Sequence, residues 1–252
     1  MEKYFNVNSN GCSISCKLYA DDPSGVKNVI LFGHGFGGNK DNKSAEKLAK
    51  RIISKNKGVA LVIFNWPCHG DDVRKTLRLE DCMHYLSLVL AWVEQRWPGA
   101  ALYAYATSFG GYLFLRYLAD NPQPFRKIAL RCPAVNMFDV LTRGIMGPEE
   151  WKRIEKGKSV EAGFDRKVEI DRHFLDSIRE ADITRIDYMA LADQVLILQG
   201  TKDELVSFEA VRRFAEENLM DFVPVEGADH RFLDPAKMGF AIQTILDYFG
   251  MR

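Results

Sequence analysis

The sequence predicts an α/β protein: a mostly parallel sheet with an N-terminal antiparallel hairpin, helices on both faces and a helical cap insertion. Three observations carry this reading. Apolar runs of strand length alternate with amphipathic stretches of helix length. Some runs, such as Val59-Ala60-Leu61-Val62-Ile63-Phe64, are apolar throughout, as strands covered on both faces are. The connections stay short up to Cys132, and from there to about Leu191 the alternation stops.

Each element has a local reason. Lys3–Val7 and Ser13–Ala20 read as strands joined by the turn Asn8-Ser9-Asn10-Gly11. Val26–Phe32 is a strand that runs into Gly33-His34-Gly35-Phe36-Gly37-Gly38. Residues 41–55 follow as a helix with Ala45, Leu48, Ala49 and Ile52-Ile53 on one face. After the strand at Val59, Leu79–Arg96 is a long helix that stops at Pro98-Gly99. Ala101–Ala106 is a strand that ends abruptly at Thr107-Ser108-Phe109-Gly110-Gly111, and the helix running to Asp120 starts there. Phe125–Arg131 is the next strand. The core is assigned to 1–132 and 192–252, and 133–191 is read as a cap insertion with helical pieces at Pro148–Glu155 and Asp171–Ala181 and no strand. An insertion at the carboxyl end of a parallel strand lies over the crevice where ligands bind. The alternation resumes with a strand at 194–199, a helix at 207–218, a strand at 220–225 and a helix at 235–249.

Bulk properties exclude several classes. The 252 residues carry 34 basic and 34 acidic side chains, a formal net charge of zero, so no nucleic-acid partner is expected. Five cysteines, an odd number, imply no disulfide framework. The amino terminus has no signal-peptide pattern and no run reaches membrane-span length, so a cytoplasmic protein with no integral membrane segment is expected. The oligomeric state, monomer or homodimer, stays open.

Three side chains with complementary chemistry fall in loops after buried strands: Ser108, Asp203 and His230. A parallel sheet brings those loops to one edge. A serine hydroxyl becomes a nucleophile when an imidazole takes its proton, and a carboxylate fixes that imidazole. A sharp strand-to-helix turn also aims the first helical amides at the serine. The expected oxyanion donors are the amides of Phe109 and of Phe36, the latter in the glycine-rich loop. Alternatives are a Ser108 that only caps its helix, an Asp203 that only holds its turn, with Glu204 beside it, and a solvated His230. Asp229 is read as a turn holder and His34 as a packed loop anchor. No metal ligands and no cofactor are expected.

These motifs together resemble the α/β-hydrolase superfamily of serine hydrolases, over about Lys3 to Phe249. The order Ser108, Asp203, His230 matches the family order, and His34-Gly35-Phe36-Gly37-Gly38 resembles its oxyanion loop. His69-Gly70 carries a partial match to a second family loop, where Asn65, Cys68 and Asp72 depart from the usual residues. Ala106 stands where glycine is common before the nucleophile, and Thr107 where a larger residue is common. Within the superfamily the likeness is to small cap-bearing bacterial carboxylesterases of the cinnamoyl or feruloyl type. Lysophospholipase-like and serine aminopeptidase groups share the layout. The resemblance implies a serine carboxylesterase for small-molecule esters with apolar or aromatic acyl groups, working through an acyl-enzyme. Met137, Phe138, Leu141, Met146 and Trp151 are read as its acyl pocket. A peptidase or amidase, and a non-catalytic binding protein on this fold, are the competing readings.

Overall fold

The computed structural model describes residues 1–9, 11–164 and 166–251; Asn10, in the predicted first turn, lies outside them. The chain begins with β1 (Glu2–Ser9) and β2 (Cys12–Ala20), paired antiparallel from Glu2↔Tyr19 to Ser9↔Cys12. Then come β3 (Asn28–Gly33), α1 (Lys43–Lys55), β4 (Val59–Phe64), α2 (Leu79–Arg96), β5 (Ala101–Thr107), α3 (Phe109–Asp120) and β6 (Lys127–Arg131). The sheet order is β1-β2-β4-β3-β5-β6, then the two strands that follow the insertion. β2 pairs antiparallel with β4, and every pairing from β4 onward is parallel.

The core lies on both faces of this sheet, which explains the unbroken apolar runs. In β4, Ala60, Val62 and Phe64 face the layer that holds α2 and α3, while Val59, Leu61 and Ile63 face α1. Local signals set the helix ends. The Asn42 side chain accepts the Ser44 and Ala45 amides and so starts α1.

Between β6 and the next core strand the chain forms α4 (Met137–Asp139), continued by a π-helical turn at Val140–Ile145. It then forms α5 (Pro148–Glu155), β7 (Val160–Ala162), β8 (Val168–Ile170) and α6 (Arg172–Glu180). The strandless insertion expected from sequence is corrected here: β7 and β8 pair antiparallel, Val160↔Ile170 to Ala162↔Val168. Their four end residues are buried while the residue between each pair is not, so two three-residue alternations suffice to dock the hairpin. The insertion packs on the α2–α3 face. Arg78, just before α2, clasps Asp171 through bonds of 2.8 and 2.7 Å, and Leu77 N–H donates to Glu169 O at 2.9 Å. Tyr112 of α3 donates its hydroxyl to Ala181 O at 3.1 Å.

The core resumes with β9 (Val195–Gly200), α7 (Phe208–Glu217), β10 (Asp221–Val225) and α8 (Pro235–Phe249), which complete the sheet as β6-β9-β10. All six parallel strands end at one edge, and the loops leaving that edge carry the candidate site. Among the described residues no helix is long and apolar enough to cross a membrane.

Candidate active site

The turn after β5 is strained by design of its neighbours. Ser108 has φ 52° and ψ −120°, outside the regions a side-chain-bearing residue prefers. Its amide donates to Arg131 O, and its carbonyl accepts from Tyr112 and Ala134. These bonds hold the turn. The tightness is visible at Gly110, where a Cβ would lie 2.4 Å from Gly33 O. Ala106 fits in place of glycine because its partner across the ladder, Gly33, has no side chain. Ser108 stands at the N-cap position, yet its hydroxyl caps no amide. It is half-buried, facing Gly35.

The loop after β3 is anchored by His34, which is fully buried. Its Nδ1 donates to Gly35 O at 2.9 Å and its Nε2 accepts the Trp66 amide at 3.3 Å. Phe36 packs edge-on against Phe109, with centroids 5.6 Å apart. Neither the Phe36 nor the Phe109 amide donates to a partner among the described residues.

The last two loops are stitched together. Lys202 N–H donates to Ala228 O, Thr201 N–H to Val225 O, and Gly227 N–H to Thr201 Oγ1. Asp203 and His230 meet there, with His230 Nδ1 at 2.9 Å from Asp203 Oδ2. Asp203 also accepts the Leu205 and Val206 amides and the Gln199 side-chain amide, at 2.8–2.9 Å. Burial alone would raise its pKa. The hydrogen bond and charge of His230, then the two amides, more than offset this and hold it below the usual carboxylate range. Glu204, the neighbouring acid, accepts the His230 backbone amide, at 3.3 Å. Asp229 holds the turn by accepting the Arg231 and Leu233 amides.

The third side chain at this pair is Cys132, not Ser108. The ligating atoms of Cys132, Asp203 and His230 all lie within 4.8 Å of one another. No hydrogen bond joins the Ser108 hydroxyl to His230 among the described residues. The serine-centred triad, and with it the serine carboxylesterase expected from sequence, is therefore corrected to a cluster built on a thiol. Cys132 leaves β6 in the left-handed region at φ 48°, its amide bonded to Leu198 O, which turns its side chain toward the Asp203 loop. Burial pushes its thiol pKa up, and the Asp203 charge pushes the same way, so the group rests as a protonated thiol. A metal would need the same atoms. Both Asp203 oxygens are already taken by four donors and the sulfur is protonated, so the donor set fits a hydrogen-bonded cluster better than a cation.

Sequence reading missed Cys132 and Gln199. The signal for Cys132 was available: it follows β6 at the same sheet edge as the other loops. Of the residues read as an acyl pocket, Met137, Leu141 and Met146 are buried in the core, while Phe138 and Trp151 are half-buried against it. A cavity of about 520 Å³ opens between Gly37–Asp41, Cys68–Asp71 and Arg166–Val168; neither those five residues nor the Cys132 cluster lines it.

Comparison with known proteins bears on the fold. Residues 28–169, more than half of the chain, match the alpha/beta hydrolase fold family. No curated protein matches the chain significantly in sequence. Est1E from Butyrivibrio proteoclasticus, solved with ferulic acid bound, is 17% identical with a TM-score of 0.71, covering 98% of this chain and 99% of that one. Mouse alpha/beta hydrolase domain-containing protein 10 is 18% identical with a TM-score of 0.71, covering 98% of each chain. A monoacylglycerol lipase from Paleococcus ferrophilus is 20% identical with a TM-score of 0.63, covering 93% of this chain and 97% of that one. At such identities the likeness speaks for architecture alone. The family match, the parallel sheet with its antiparallel start, and the loops gathered at one edge agree: this chain belongs to the α/β-hydrolase fold family.

Proposed function

We propose that the protein is a hydrolase of small acyl compounds in which the Cys132 thiol attacks the carbonyl and Asp203–His230 handles the proton. The observation that carries this is the meeting of the three groups within 4.8 Å. Because Cys132 rests protonated, attack requires His230 to take the proton as the sulfur–carbon bond forms. Asp203 fixes the ring through Nδ1 and stabilises its cation. The oxyanion that develops is held by the Phe36 and Phe109 amides, a role supported by their lack of other partners among the described residues. Collapse expels the leaving group with the proton from His230. Water, deprotonated by the same ring, then cleaves the thioester acyl-enzyme and restores the thiol.

Ser108 takes part through its turn, which presents the Phe109 amide. Segment 133–191 acts as the cap, with Phe138 and Trp151 bordering the acyl group. The five free cysteines fit a reducing compartment, so we place the protein in the cytoplasm. A panel of p-nitrophenyl esters and thioesters, assayed with wild type and Cys132→Ala, tests the reading. Turnover by wild type and a loss of a thousandfold or more in Cys132→Ala is expected, on the order seen when one triad member is removed. An undiminished Cys132→Ala would refute it.

A further inference from the structure

The cavity beside the glycine-rich loop has no part in the chemistry above. At about 520 Å³ it falls within the roughly 300–1,000 Å³ of small-molecule sites. One wall is Gly37–Asp41, which continues the loop that holds Phe36. A second is Cys68–Asp71. The third is Arg166–Val168, where the hairpin of the insertion enters β8. The hairpin lies close against the loop: a Cβ on Gly37, itself at φ 71°, would come 2.9 Å from Arg166 O. His69, in the second wall, stacks on Phe109 with centroids 6.1 Å apart and meets Phe36 edge-on at 5.6 Å. One ring therefore separates the cavity from the two residues whose amides hold the oxyanion.

The lining is polar and charged. Lys40, Arg166 and Lys167 line it together with Asp41 and Asp71. Both acids are already matched. Asp71 accepts from Lys40 at 3.0 Å and from the Asn65 side-chain amide. Asp41 accepts from Lys17 at 3.2 Å and from the Tyr4 hydroxyl at 2.7 Å, and lies 3.5 Å from Lys40. Arg166 and Lys167 are exposed and have no ion pair among the described residues. His69 brings no charge, because burial holds its pKa down to about 4. Two unmatched cations in a concave site suit a carboxylate: a guanidinium offers it a planar fork and an ammonium a point charge. Only Cys68 and Val168 add apolar side chains to the lining, so the anion rather than a hydrophobic tail is what the cavity recognises.

We propose that this cavity binds the carboxylate of a small organic acid, with Arg166 as the fork and Lys167 as the second charge, and that this acid is the acyl compound itself. The first part stands on the cavity alone. The second rests on the hydrolase reading above, since the wall at His69 abuts the oxyanion residues. Lys40 stays with its two acids and shapes the wall.

The test begins with binding, which needs no turnover. Adipate and its neutral diamide are titrated by calorimetry into wild type, Arg166→Gln, Lys167→Gln, the double variant and Lys158→Gln. Lys158 precedes β7 and does not line the cavity. Adipate should bind at least tenfold more tightly than the diamide, and less tightly as salt is added. Arg166→Gln should raise its Kd about tenfold and Lys167→Gln about threefold, in the order of fork and point charge. The double variant should lose the preference for the acid, and Lys158→Gln should keep it. All three positions are exposed, so the melting temperature should hold. Adipate bound no better than its diamide would overturn the proposal, and so would a double variant that binds it as wild type does. Kinetics then test the second part with the p-nitrophenyl ester of adipic acid and its methyl-capped counterpart. The double variant should raise KM for the acidic ester at least tenfold with kcat held, and leave the capped ester unchanged. Equal effects on both esters would overturn the assignment to the acyl compound. A wild type that binds adipate as expected but hydrolyses neither ester would count against the hydrolase reading and leave the carboxylate site supported.

Discussion

His69 and His230 occupy comparable places, each in a loop that leaves the carboxyl edge of the sheet, yet they are built for opposite ends. His69 Nδ1 donates to Pro67 O at 2.7 Å, its Nε2 has no partner among the described residues, and the ring is 1% exposed. Burial pushes its pKa down to about 4. His230 Nδ1 instead faces the Asp203 carboxylate, and its side chain is 10% exposed. A carbonyl on Nδ1 fixes a tautomer and nothing more. A carboxylate there also stabilises the imidazolium, so the ring can accept a proton and return it. His34 belongs with His69: buried, bonded to a carbonyl, and held well below its ordinary pKa by burial and then by His69. The difference between a packing histidine and a base lies in the group behind the ring.

The most severe way to break this contrast is to turn His230 into another His69. Asp203→Asn leaves a neutral side chain behind the ring and permits the wrong tautomer. A loss of about 10⁴ in kcat is expected by steady-state assay, on the scale of a triad aspartate amidated elsewhere.

A smaller effect tests the other histidine. In the unfolded chain His69 protonates near its ordinary pKa of 6.5, and in the folded chain only near 4. Between those values the unfolded state holds more protons, so stability falls as pH falls through the window. The loss approaches roughly 3 kcal/mol by pH 4. His34 adds to it with the same sign. Denaturant midpoints measured from pH 7 to 4 would show the decline, and His69→Phe would flatten it. The Phe36 and Phe109 rings already flank the site, and the replacement forgoes one hydrogen bond worth about 1 kcal/mol.

The smallest effect separates the two acids in one loop. Glu204 reaches the backbone amide of His230, at 3.3 Å, not its ring, and is exposed. Glu204→Gln should change kcat by less than about threefold and stability by at most ~0.5 kcal/mol. A large loss would move the orienting role from Asp203 to its neighbour.

Much of the architecture was legible because strand length, unbroken apolarity and short connections leave few topologies for a chain such as β3 to β6. The order of the loops also placed Asp203 and His230 side by side. Three features were not legible, each for a physical reason. Strands β7 and β8 have three residues apiece, too few for a period to stand out from their charged surroundings. The contrast between His69 and His230 depends on what lies behind each ring, and His-Gly and Asp-His look equally promising as text. In sequence Cys132 counts with the other cysteines toward a disulfide framework, and that count gives no weight to its place after β6. The buried cation beside it was hidden as well, because Arg131 at a strand end reads as an exposed residue.

The thiol is the central claim, and covalent trapping tests it most directly. Rapid quench of the enzyme with an activated p-nitrophenyl ester, followed by intact mass and peptide mapping, locates the acyl group. One acyl group per chain on the peptide containing Cys132, absent in Cys132→Ala, is the predicted result. An acyl group on Ser108, retained in Cys132→Ala, would contradict the account.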